Sequence, residues 1–182
     1  MPRADAQRNR DLILATAKRL FAERGASAPL DDIARHAGVG NATLYRHFPT
    51  RRDLLIAVYA DEVADLTAKA GKLLSHPSPA DALFTWLDAF IAHIADKSDL
   101  AHAIPEEGRT PLFSEWHEAM RMTLSSLLER AQETGTVRPE TNAADLLALA
   151  NGIALAGADK AQTTRLLQLA REGITTHPPT DR

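Results

Sequence analysis

Eleven consecutive residues carry the side chains best suited to gripping a charged, hydrogen-bonding surface: Asn41, Thr43, Tyr45, Arg46, His47 and Arg51. Such a set of hydrogen-bonding and cationic side chains suits a polar groove. Elsewhere His93, His102 and His117 invite a metal reading. They lack the close paired spacing of such sites, and no carboxylate completes a set. The chain has no Cys, which removes thiolate zinc sites, disulfides and cysteine nucleophiles. No G-x-S-x-G, Walker loop or H-E-x-x-H occurs. Neither an enzyme, a metal nor a cofactor is expected.

The elements around these residues read as helices throughout, because apolar residues recur at three and four and no segment alternates as a strand does. A first helix spans about Arg8 to Arg24, with Ile13, Ala17, Leu20 and Phe21 on one face and Gly25 at its end. Two short helices follow, Pro29 to Ala37 and Asn41 to Phe48, joined by Gly38-Val39-Gly40. Helices joined so tightly cross steeply and need small residues inside, which Ala34 and Ala37 supply. Ile33, Val39 and Leu44 are the apolar plugs and Phe48 a core aromatic. Asn41, Ala42, Thr43, Tyr45, Arg46 and His47 remain outward. Pro29 suits the first helical position, and Asn41 is expected to cap the third helix. Thr50 with Asp53 resembles a capping box opening a long fourth helix that Ser75-His76-Pro77-Ser78-Pro79 stops.

The segment IARHAGVGNATLYRHFPTRRDLL resembles the signature of the TetR family of transcriptional regulators, I-A-x-x-A-G-V-S-x-G-T-L-Y-x-H-F followed by a basic residue and Leu. The resemblance covers roughly residues 10 to 60. It implies an all-α fold, with a three-helix helix-turn-helix DNA-binding domain over residues 1–51 and a helical ligand-binding and dimerisation domain over 52–182. It also implies that Thr43, Tyr45 and His47 touch DNA, with Tyr45 and His47 on phosphates and Arg51 on the backbone. Asn41 and Arg46 fall at variable positions and are the candidates for reading bases. Gly40 stands where the family has a capping Ser, Ala42 where it has Gly, and Pro29 where many members have a phosphate-binding Thr. That last contact is therefore missing or made by Ser27.

The charge distribution agrees. Residues 1–52 hold ten Lys or Arg against five acids, and the remainder eleven against nineteen, beneath a net charge of only −3. A basic head on an acidic body is what a phosphate-binding module would show. The segment from Arg3 to Asp11 is charged, and no run approaches a spanning length, so an unexported cytoplasmic protein without a membrane partner is expected.

Beyond Pro79 the sequence predicts helices from Ser78 to about Ala95, Ser98 to Ile104, Thr110 to Thr134, Asn142 to Ala156 with Gly157 ending it, and Gln162 to Ile174 before a frayed tail. The total is about nine. Leu146, Leu149, Ala150, Ile153, Leu166, Leu169 and Ala170 form stripes on the last two, which either build a four-helix interface in a homodimer or pack on their own chain. Trp86, Phe90, His93, Phe113, Trp116 and Met120 either line an apolar ligand pocket or belong to the core. The resulting expectation is a repressor released from an inverted-repeat DNA operator by a small-molecule inducer.

Overall fold

The computed structural model describes residues 3–103, 109–156 and 159–176, with side chains outside 3 and 96–113. Among them are eight helices and no strand: α1 (Arg3–Arg24), α2 (Leu30–His36), α3 (Asn41–His47), α4 (Arg51–Leu73), α5 (Pro79–Ala103), α6 (Arg109–Glu133), α7 (Ala143–Leu155) and α8 (Lys160–Ile174). One isolated antiparallel bridge joins Val137 to Thr175. No helix among the described residues is long and apolar enough to cross a membrane.

The chain divides into two compact units. The first holds the described residues of Met1–Glu62 and Asp96–Pro111, the second those of Val63–Ala95 and Leu112–Arg182. The division falls inside α4, after Glu62, in a helix that no Pro or Gly interrupts before Gly71.

In the first unit Ile13, Ala17, Leu20 and Phe21 of α1, Ile33 and Ala34 of α2, and Leu44 of α3 are all buried. Each fully enclosed Ile or Leu among them stabilises the unit by about 1.5–3 kcal/mol. The second unit buries Leu83, Trp86, Leu87 and Ile91 of α5, Leu124, Leu127 and Leu128 of α6, and Leu146, Ala150 and Ile153 of α7.

Helix ends follow local chemistry. At α4 the Thr50 amide donates to Asp53 Oδ2 at 2.9 Å and the Asp53 amide returns to Thr50 Oγ1 at 3.1 Å, a reciprocal capping box. Asn142 caps α7 by accepting from the Asp145 amide at 2.9 Å. Asp159 caps α8 through the Gln162 amide at 2.7 Å, so that helix begins at Lys160, two residues before the expected Gln162.

Several expectations give way. The two helices expected on either side of Ser98 are one, α5, because Asp96-Lys97-Ser98 contains no breaker and the backbone ladder simply continues. α1 starts at Arg3, since Ala4 to Gln7 lack an apolar period yet also lack a breaker. Pro29 is the N-cap of α2, extended at φ −62 and ψ 134, rather than its first residue. Thr175 is paired rather than frayed: the Arg138 amide donates to Ile174 O at 2.9 Å and the Thr176 amide to Thr136 O at 3.2 Å. Gly157 lies outside the described residues, and α7 closes on Ala156.

Candidate nucleic-acid interface

The turn between α2 and α3 depends on Gly38. Its φ of +68 is a left-handed conformation that a Cβ disfavours. With Gly38 so placed, its amide donates to Arg35 O at 3.2 Å and the Val39 amide to Ala34 O at 3.0 Å. That double closure satisfies the last carbonyls of α2 and swings the chain sharply into α3.

α3 is short, and two side chains hold it. Leu44 is fully enclosed and Phe48, just past the helix, is 3 % exposed. The Arg10 guanidinium of α1 lies 5.5 Å from the centroid of the Phe48 ring. With Leu44 inward, the opposite face is outward: Asn41, Ala42, Tyr45 and Arg46 are exposed, and Thr43 and His47 half-buried. Tyr45 is 45 % exposed despite its size, so its ring is no part of the core.

Capping at α3 departs from expectation. Gly40 occupies the N-cap and offers no side chain, and Asn41 is the first helical residue. The Asn41 amide is used differently: Nδ2 donates to Asp31 Oδ1 at 3.0 Å. Arg46 Nη2 donates to Thr43 Oγ1 at 3.1 Å, one turn back along the same face. Arg51 Nη1 donates to Ala26 O at 2.7 Å, which ties the start of α4 to the loop after α1 and fixes where the guanidinium lies. Asp32 accepts from Arg24 at 3.1 Å and from Arg35 at 2.6 Å, so two cations share one carboxylate on α2. Ser27 is exposed in the turn ahead of Pro29.

All six candidate residues therefore lie on α3 or at the start of α4, all at least partly accessible. Their arrangement is a helix face with hydrogen-bonding groups, cations toward its C-terminal end and an apolar back, a shape suited to a major groove. The Asp31–Asn41 bond escaped the sequence reading, since the nine intervening residues carry no signal of it.

Residues 13–58 match the model described as bacterial regulatory proteins of the tetR family. Residues 78–176, over half of the chain, match the C-terminal domain of SbtR-like transcriptional regulators. The chain belongs to the TetR family. A TetR transcriptional regulator from Streptomyces coelicolor is 37% identical, with a TM-score of 0.81 over 93% of this chain and 99% of that one. A second, from Mycobacterium vanbaalenii, is 34% identical, with a TM-score of 0.79 over 96% and 99%. An HTH-type transcriptional regulator of Staphylococcus aureus is 30% identical over 112 residues, so the chain spans 60% of that relative's length.

The residues expected to line a ligand pocket or a dimer interface fall in the second unit. Trp86 is wholly enclosed, its indole N–H donating to Leu66 O at 3.0 Å. Its ring stacks on Phe90 with centroids 5.4 Å apart. Phe90 and Met120 are buried, while His93 and Trp116 are half-buried. The Phe113 side chain lies outside the described ones. Of the stripes on the last two helices, Leu146, Ala150 and Ile153 are buried within their own chain. Leu149 and Leu169 are 45 % and 65 % exposed, and Leu166 and Ala170 half-buried.

An open groove of about 460 Å³ runs between α5 and α8. On its wall Arg171 hydrogen-bonds Asp81 and lies 5.4 Å over the Phe84 ring. The guanidinium, joined by the Ser78 hydroxyl, holds the Asp81 carboxyl below its ordinary value.

Proposed function

We infer that this regulator is a repressor that binds an inverted-repeat operator as a homodimer through α3 and is released by a small molecule. One observation carries the DNA-binding part: Leu44 and Phe48 pin α3 from behind, and the polar set Asn41, Tyr45 and Arg46 is left outward. Tyr45, His47 and Arg51 serve as phosphate contacts that set register, Thr43 supports them, and Asn41 and Arg46 reach base edges. The basic excess of the first 52 residues supplies the sequence-independent attraction.

A twofold mate fits the exposed apolar residues of α7 and α8, Leu149, Leu155 and Leu169, because such groups on separate helices stay wet in a lone chain. An apolar ligand among α5 and α6 would meet His93 and Trp116 first. Trp86, Phe90 and Met120 become its contacts only if the core opens, because all three are buried. Leu66, whose carbonyl receives the Trp86 N–H, sits on α4, the helix that begins with Arg51. Movement there is the route by which ligand would bias the head, in proportion to its differential affinity for the two conformations.

Footprinting on a selected duplex tests the reading. Two protected half-sites about one helical turn apart are expected, and a single asymmetric half-site bound by one chain would contradict it. Mixed-sequence DNA should retain the protein, with elution rising steeply with salt.

A further inference from the structure

We propose that Asp31, a residue of α2, governs base selectivity at one operator position by orienting the Asn41 amide. The inference rests on the DNA-binding reading above and assigns the chemistry of one contact within it. Asn41 Nδ2 donates to Asp31 Oδ1 at 3.0 Å. A carboxylate can only accept, so the amide is held with its nitrogen toward α2 and its oxygen on the other side. Asn41 is exposed, and its Oδ1 has no hydrogen-bond partner among the described residues. What this residue presents outward is an acceptor.

An acceptor selects a donor. In the major groove adenine N6 and cytosine N4 are donors, while guanine N7 and O6 and thymine O4 are acceptors. The pinned Asn41 therefore favours adenine or cytosine on the strand it meets. Arg46, five residues along α3, has the opposite polarity: its guanidinium only donates, and the Thr43 hydroxyl engages just Nη2. It favours guanine. The helix then carries two readers that cannot exchange bases.

Asp31 has a second effect. Asp32 is the residue paired with Arg24 and Arg35, whereas Asp31 forms no ion pair among the described residues. An uncompensated carboxylate next to a base-reading side chain repels phosphate whatever the sequence. Asp31 thus lowers affinity for all DNA while raising discrimination at one pair, a repulsive element that serves selectivity.

The test uses the full chain and a synthetic duplex pool with randomised half-sites. The sequences that wild type enriches, and their single-base-pair variants, are titrated by anisotropy against Asp31→Ala, Asp31→Asn and Asn41→Ala. Wild type is expected to prefer adenine or cytosine at one position by about 2- to 12-fold, the worth of a single hydrogen bond. Asp31→Ala should lose most of that preference, keep the others, and bind mixed-sequence DNA more tightly. Asp31→Asn retains an oxygen to accept from Nδ2. It should restore the preference while keeping the raised non-specific affinity. Asn41→Ala should erase the same preference, and adding Asp31→Ala to it should change selectivity no further.

An unchanged base profile in Asp31→Ala overturns the proposal, as does failure of Asp31→Asn to restore the preference. Uniform loss of affinity in Asp31→Ala with reduced helicity would assign Asp31 a structural role and also overturn it. In each of these cases wild type still binds duplex and the DNA-binding reading stands. Retention of no duplex by wild type removes both.

Discussion

α3 has seven residues and α8 fifteen, yet the shorter helix is the one rooted in a core. Leu44 is fully enclosed, and the backbone around it closes onto Gly40 and Phe48. α8 has no buried residue at all. Its docking is mixed: Leu167 and Ala170 line a small apolar gap with Phe84, Leu87 and Leu146, Arg171 reaches Asp81 and Phe84, and a bridge joins Thr175 to Val137. A seven-residue helix has no stability of its own, so its geometry must come from what it packs against. The two helices also differ in what they leave outside. α3 exposes amide, phenol and guanidinium groups, while α8 exposes Leu169, and α7 beside it Leu149 and Leu155. A polar face over an apolar back suits a phosphate-lined groove, and exposed leucines on neighbouring helices suit a second protein surface.

Leu44→Ala should give the largest effect, costing about 2–5 kcal/mol in thermal or denaturant unfolding, because it leaves a cavity behind the recognition face. DNA binding should fail with it. Preserved operator affinity in a destabilised Leu44→Ala protein would show that α3 does not need its anchor. Leu169→Glu attacks the other side of the comparison. It should shift dimer to monomer in sedimentation by at least about tenfold in dissociation constant, the order of 1.4 kcal/mol, with helicity unchanged. An unaffected association state would place the mate elsewhere.

Arg46→Ala should cost about 1–3 kcal/mol at a single base pair. Tyr45→Phe should weaken every sequence alike, by about 0.5–1.5 kcal/mol for one lost hydroxyl bond. Swapped signatures in a base-scan, uniform loss for Arg46 and local loss for Tyr45, would exchange their roles. Asp81 gives the smallest effect. Its carboxyl is depressed, first by the Arg171 hydrogen bond, so its contribution is present above the unfolded carboxylate value and is lost as pH falls through the lower folded one. Since the pair is exposed, screening limits the gain to under about 1 kcal/mol. Wild type should lose this increment under acid, and Asp81→Asn should lack it at every pH. Parallel pH–stability curves would remove the pair from α8's docking.

Local signals read well from sequence. Thr50 with Asp53, Ser78 with Asp81 and Asn142 with Asp145 announce helix starts that the backbone then adopts, because a cap is satisfied within three residues and needs no distant partner. Gly25, Gly38 and Gly135 mark ends for the same reason, each at positive φ. Absent signals misled: without a breaker at Ser98, α5 runs on, and without an apolar period before Arg8, α1 still begins at Arg3.

The chain's own order of residues determined the helical class, the TetR-family head and the outward set on α3, since periodicity and turn chemistry act over a few positions. Tertiary structure alone decided the rest. It buried Leu146, Ala150 and Ile153 within the chain while leaving Leu149 outside, although all four belong to one helix of similar apolar residues. It enclosed Trp86 under the Leu66 carbonyl, and it joined Asp31 to Asn41 across nine intervening residues. Which face of a helix is covered, and which polar groups meet, depends on what packs against it, and that partner is distant along the chain.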